Sequence, residues 1–248
     1  GIEANGLSEQ TWAGGVFTNG YAGVDLFLVI SGFIMVYVTQ NMQHGPKGAG
    51  DFLFGRVTRI YPVWWAFAGF MMAYMVGVHG LSGYGQGWGA ISRTEPLVPY
   101  LFKSFALAPQ REFPILGVGW TLVHEMYFYT VFMVFMLLPR KLLPGLIGLW
   151  GLQVIAGTFL GYAVVYAGTY RDLVFYPMTM EVILGAGAGL LITSGRQWRS
   201  GIVTLVASLW LMVALCYQGI ETPFTLEWGR VLWFGLPCAL LIYGVAGL

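Results

Sequence analysis

The chain has 248 residues, of which 57% are hydrophobic and only 9% charged, and its formal net charge is +1. Soluble domains carry about 25% charged residues, so this composition excludes a water-facing globule and fits a bundle whose outside meets lipid. The balanced charge, with no basic tract interleaved with aromatics, excludes nucleic acid as a partner.

A spanning helix takes roughly 20 predominantly apolar residues. Runs of that kind, bounded by Pro, Gly or charge, cover 24–39, 60–78, 118–138, 143–167, 173–193, 202–217 and 231–248. The expected fold class is all-α, a polytopic transmembrane helix bundle of seven spans forming a single domain over 1–248. The apolar stretch 97–107 is too short to span and reads as re-entrant or interfacial. The opening 1–21 is polar and Gly-rich, without the charged-then-apolar layout of a signal peptide. Cys216 and Cys238 lie inside apolar runs, where a thiol behaves as a small hydrophobe.

If each run crosses once, Lys47, Arg56, Arg59, Arg140, Lys141, Arg196 and Arg199 share one side. The inside-positive rule makes that side cytoplasmic. The opposite side collects a mixed set that includes Glu3, Glu9, Arg93, Glu95, Glu221 and Arg230.

In chain order, the first polar residue inside a run is Asp25. It is either an acid favoured by the dipole of a helix's first turn or a group facing a site from that end. Arg56 and Arg59 follow, three apart and so on one helix face, just before the second run. They are an inside-positive anchor, or two planar forks of donors that bind the phosphates of a nucleotide-bearing donor.

Glu125 lies within the third run, where a charge costs about 2.5–3.5 kcal/mol on insertion scales and so needs a partner or a function. Helical spacing sets Thr121, Glu125 and Tyr129 on one stripe. Glu125 either orients a catalytic group or pairs with an arginine on a neighbouring helix. Its neighbour His124 points about 100° away around the helix and reads as a satisfied interior histidine or, alternatively, a base. Glu181 precedes Gly185, Gly187 and Gly189, small residues that let helices approach closely, and reads as structural or as a site carboxylate. No Gly-rich phosphate loop, zinc-type spacing or nucleophile elbow is present, so neither a metal nor a permanently bound cofactor is expected.

Three segments together resemble the acyltransferase-3 family of membrane acyltransferases, in particular its exopolysaccharide-acylating members. They are Gly23-Val24-Asp25-Leu26-Phe27 through Ser31-Gly32-Phe33-Ile34-Met35, then Arg56-Val57-Thr58-Arg59-Ile60-Tyr61-Pro62, then Gly119-Trp120-Thr121-Leu122 with Glu125 and Phe128-Tyr129. Glu181 with Gly185, and Arg230 with Phe234-Gly235-Leu236-Pro237, agree more loosely. The resemblance implies an O-acyltransferase of the bacterial inner membrane. Its co-substrate would be acyl-CoA, with acetyl the expected group, and its acceptor a hydroxyl of an exopolysaccharide or other surface-glycan sugar.

Carried onto this chain, the family pattern makes Glu125 catalytic and gives Arg56 and Arg59 the donor's phosphates. Trp120, Thr121, Tyr129, Asp25 and Glu181 become donor- or acceptor-binding residues. The family's first helix, which bears an Arg and the His expected to act as base, has no match upstream of Gly23, and its closing helix has none before Leu248. On that pattern the chain is expected to be truncated at both ends. The competing expectation is a transporter or flippase for a lipid-linked sugar, with Glu125 and Glu181 relaying protons.

Overall fold

Apolar side chains repeat through every turn, and although β-branched residues such as Val24, Val29, Ile30 and Ile34 are common, a lipid environment leaves the backbone little else than helix. The computed structural model describes residues 22–84, 95–164, 167–195, 197–216 and 226–248, and their regular structure is helical. The helices are α1 Ala22–Thr39, α2 Pro46–His79, α3 Leu97–Ala106, α4 Gly119–Met136, α5 Leu143–Phe159, α6 Tyr170–Val174, α7 Thr179–Thr193, α8 Ser200–Cys216, α9 Leu226–Arg230 and α10 Leu236–Ala246. A π-helical turn, Val231–Gly235, joins the last two. Glu3, Glu9, Arg93, Arg196 and Glu221 lie outside the described residues.

Four segments are long and apolar enough to cross a membrane: Ala22–Thr39, Pro46–His79, Arg140–Phe159 and Trp228–Ala246. Helices α7 and α8, at 15 and 17 residues, reach only about 23–26 Å at 1.5 Å per residue, short of the roughly 30 Å hydrocarbon core.

Three boundaries differ from the sequence reading. Arg56 and Arg59 do not precede a helix but lie inside α2, which starts at Pro46 and runs on through Pro62. The 143–167 run ends early because Gly161 takes a left-handed conformation (φ 74°) and the Tyr162 N–H turns back to the Gly157 carbonyl at 2.8 Å. The 173–193 run breaks before α7 around Pro177, which has no N–H to continue a helix.

The described residues form two compact units interleaved in sequence. One takes its members from 1–42, 141–165 and 175–248, the other from 43–140 and 166–174. The first is organised on a close crossing of α1 and α7. A Cβ on Gly32 would strike the Val182 carbonyl and one on Gly185 the Val29 carbonyl, so two glycines seat each helix against the other's backbone. Gly189 repeats this against Val36, whereas Gly187 meets nothing within 4 Å. Of the three glycines read as packing residues, the two spaced four apart do the packing. Gly244 brings α10 against Ser200 and Thr204 of α8 in the same way, and Trp228 Nε1 ties α9 to Thr158 Oγ1 of α5 at 2.9 Å.

In the second unit, α2 packs against α3 and α4. A helix end inside an apolar medium leaves carbonyls without donors, and α2 answers this for α3 with aromatic donors. Tyr61 Oη donates to the Ala106 carbonyl at 2.8 Å, Trp64 Nε1 to Ser104 at 3.0 Å and Trp65 Nε1 to Phe105 at 3.0 Å. The start of α2 meets the end of α4, where the Gly45 N–H donates to the Met136 carbonyl at 2.8 Å and His44 Nδ1 to Leu138 at 2.8 Å.

Candidate functional site

The second unit brings Glu125 together with both arginines. Glu125 is buried on α4 at 6% exposure, and Tyr129, one turn on, donates its hydroxyl to Glu125 Oε1. Across from them on α2, the Arg56 guanidinium lies over the Tyr129 ring (5.3 Å to the centroid) and the Phe52 ring (5.4 Å). Phe52 and Tyr129 meet edge to face at 6.0 Å. The charges of Arg56 and Arg59 both act on the Glu125 carboxyl, yet neither arginine makes an ion pair among the described residues. Arg56 is half-buried and Arg59 exposed. The result is a fixed carboxylate beside two guanidiniums whose donors remain open to an anion.

The rest of the predicted stripe divides. Thr121 Oγ1 turns back to the Val118 carbonyl at 2.8 Å, the usual behaviour of a threonine in a helix's first turn. His124 is buried, donates from Nδ1 to the Trp120 carbonyl at 2.8 Å, and sets its ring edge-on to Trp120 at 5.5 Å. The ring is thus inside the bundle, with its Nδ1 held by the backbone of its own helix.

The first unit holds another polar cluster. Asp25 is fully buried, and Arg230 grips it with two bonds, Nε to Oδ1 at 3.2 Å and Nη2 to Oδ2 at 2.8 Å, the paired geometry of a strong Arg–carboxylate contact. Glu181 is fully buried beside them, within the field of both Asp25 and Arg230. Gly235 makes its room, since a Cβ there would lie 2.7 Å from Glu181 Cγ. The π-helical turn that begins immediately after Arg230 carries Gly235 to that place; such turns often occur at functional positions.

Sequence reasoning missed Arg230 as a partner and Phe52 altogether. An arginine at the mouth of the last apolar run is placed to seek a counter-charge, and that signal was available. Phe52 gave none, being one aromatic among many. Among the described residues, no group of three His, Cys, Asp or Glu side chains is placed to hold a metal ion.

A family model described as an acyltransferase domain, acyltransferase-3, matches residues 3–248. The exopolysaccharide production protein ExoZ of Rhizobium meliloti (strain 1021) is 36% identical over 204 residues, covering 77% of this chain and 55% of the relative. The chain thus spans about half the length of the curated relative it matches. No solved structure matches significantly. With the family's model matched over nearly the whole length and its motif residues on α1, α2 and α4, the chain belongs to the acyltransferase-3 family.

Proposed function

We propose that this chain is the core of an integral inner-membrane O-acyltransferase that moves an acyl group, acetyl as expected, from acyl-CoA to a sugar hydroxyl of an exopolysaccharide. The observation that carries the reading is the cluster of Arg56, Arg59, Tyr129 and Glu125 on α2 and α4. Two guanidiniums with free donors suit the phosphates of coenzyme A, and the name of the ExoZ relative supports the carbohydrate acceptor.

A neutral hydroxyl attacks a thioester poorly until a base takes its proton. In the proposed reaction the sugar oxygen bonds to the thioester carbon, the carbon–sulfur bond breaks, and the coenzyme leaves as thiolate to be protonated. Glu125 orients the base through a hydrogen bond, as in the triads of hydrolases. The family resemblance supplies a histidine as that base. Trp120 and Tyr129 contribute aromatic faces along the donor or acceptor path, with Thr121 nearby.

Helix α2, 34 residues long, measures about 51 Å and overreaches a core of about 30 Å. Its arginines, in the first half, accordingly lie near the cytoplasmic interface, where a soluble donor arrives. In this reading α4 crosses as well, and α7 and α8 complete seven spans by local thinning of the bilayer to their 15- and 17-residue lengths. Asp25, gripped by Arg230, and Glu181 beside it are closed from solvent and belong to the scaffold of the first unit. A flippase would use Glu125 as a proton relay; the two guanidiniums with open donors on the neighbouring helix suit an anionic donor better.

Glu125→Gln in the intact protein, with expression confirmed, tests the reading. Transfer of labelled acetyl to polysaccharide should fall by roughly a hundredfold or more, the usual loss when general acid–base assistance fails. Wild-type turnover would remove Glu125 from the chemistry.

A further inference from the structure

Among the described residues, Arg56 is held without an ion pair. A guanidinium beside a carboxylate commonly spends its fork of N–H donors on it. Here Glu125 is within electrostatic reach of Arg56 but is hydrogen-bonded by Tyr129, and Arg56 rests over the faces of Tyr129 and Phe52. A ring attracts the cation through its face and takes none of the in-plane donors. Phe52 is itself locked, 4% exposed and packed 5.4 Å from Phe132. It also sits one turn before Arg56 on the same helix face.

We propose that Phe52 and Tyr129 form a cradle of two positioning residues that aims the Arg56 guanidinium while leaving its donors free for a phosphate of the acyl donor. The proposal rests on the donor-binding reading above. It gives Tyr129 two separable tasks: its ring steadies Arg56, and its hydroxyl steadies Glu125. It also makes arginine irreplaceable by lysine at position 56, because an ammonium is neither planar nor forked.

The test is calorimetric binding of coenzyme A to the purified intact protein in detergent. Arg56→Ala should weaken binding most. Phe52→Leu should weaken it roughly fivefold, the size of one cation–π contact, and Phe52→Tyr should restore it. Tyr129→Leu, which removes the other ring face under Arg56, should weaken it likewise. Should Phe52→Leu fail to fold, Arg56→Lys carries the same question from a half-buried position, and it should bind as weakly as Phe52→Leu was expected to.

If Arg56→Ala weakens binding while Phe52→Leu or Arg56→Lys matches wild type, the cradle is overturned and the donor reading stands. If Arg56→Ala itself leaves binding unchanged, the donor reading falls and the cradle with it.

Discussion

Arg230 and Asp25, 205 residues apart in the chain, meet as a two-bond ion pair in which the carboxylate is completely buried. Removing one partner of such a pair strands the other charge in an apolar medium. Arg230→Leu should therefore cost about 3–5 kcal/mol, read as a lowered unfolding temperature in detergent. Adding Asp25→Leu to that variant should restore part of the loss, and a double variant no better than the single one would show that the pair is not the source.

The glycines of the first unit make a graded prediction. Gly185→Ala and Gly32→Ala place a methyl against backbone carbonyl on the facing helix and should separate α1 from α7, with a loss of about 1–3 kcal/mol or more from overpacking. Gly187→Ala meets open space and should be neutral or stabilising by up to about 1 kcal/mol through helix propensity. Thermal unfolding of the three variants side by side is the measurement, and equal effects would refute the crossing.

Gly235 should be sensitive for a different reason, and less so than Gly185, because the obstacle is a side chain and not backbone. Its missing side chain makes room for Glu181, so Gly235→Ala should be rescued in part by Glu181→Ala, which withdraws the group in the way. Unfolding temperatures of the single and double variants measure that coupling.

The aromatic cap on α3 predicts unequal effects of like substitutions. Trp64 is buried and Trp65 half exposed, so Trp64→Phe removes the shorter of two bonds to the Ser104 carbonyl, leaving the Leu107 N–H at 3.4 Å, at a cost of about 0.5–1.5 kcal/mol. Trp65→Phe should cost less. Protease accessibility around α3, compared between the two variants, checks the order.

Arg59 is exposed where Arg56 is half-buried, so salt should distinguish them. At about 1 M salt, where the screening length is about 3 Å, the effect of Arg59→Ala on coenzyme A binding should shrink more than that of Arg56→Ala. The comparison needs only the binding titrations repeated at two ionic strengths.

Much of the architecture was legible in the sequence, because the rule that writes it is local. Apolar runs have to become helices in lipid, and each of the seven runs overlaps one. The limits of those helices were less legible. Gly161 closes α5 only because the chain there turns left-handed, and α2 absorbs Arg56 and Arg59 because nothing from Pro46 onward stops it. The Glu125–Tyr129 link could be read from spacing, since residues four apart share a helix face.

Composition and periodicity by themselves determined the membrane-helical class and the kind of residue that would need a partner: carboxylates and arginines inside apolar runs. The tertiary structure alone decided who the partners are. Glu125 was open to an arginine partner on a neighbouring helix and received a tyrosine hydroxyl from its own helix, while the buried ion pair fell to Asp25 and Arg230. Such choices depend on how closely helices distant in sequence can approach, and that is set by contacts such as Gly32 on Val182 and Gly235 on Glu181, which no local pattern encodes.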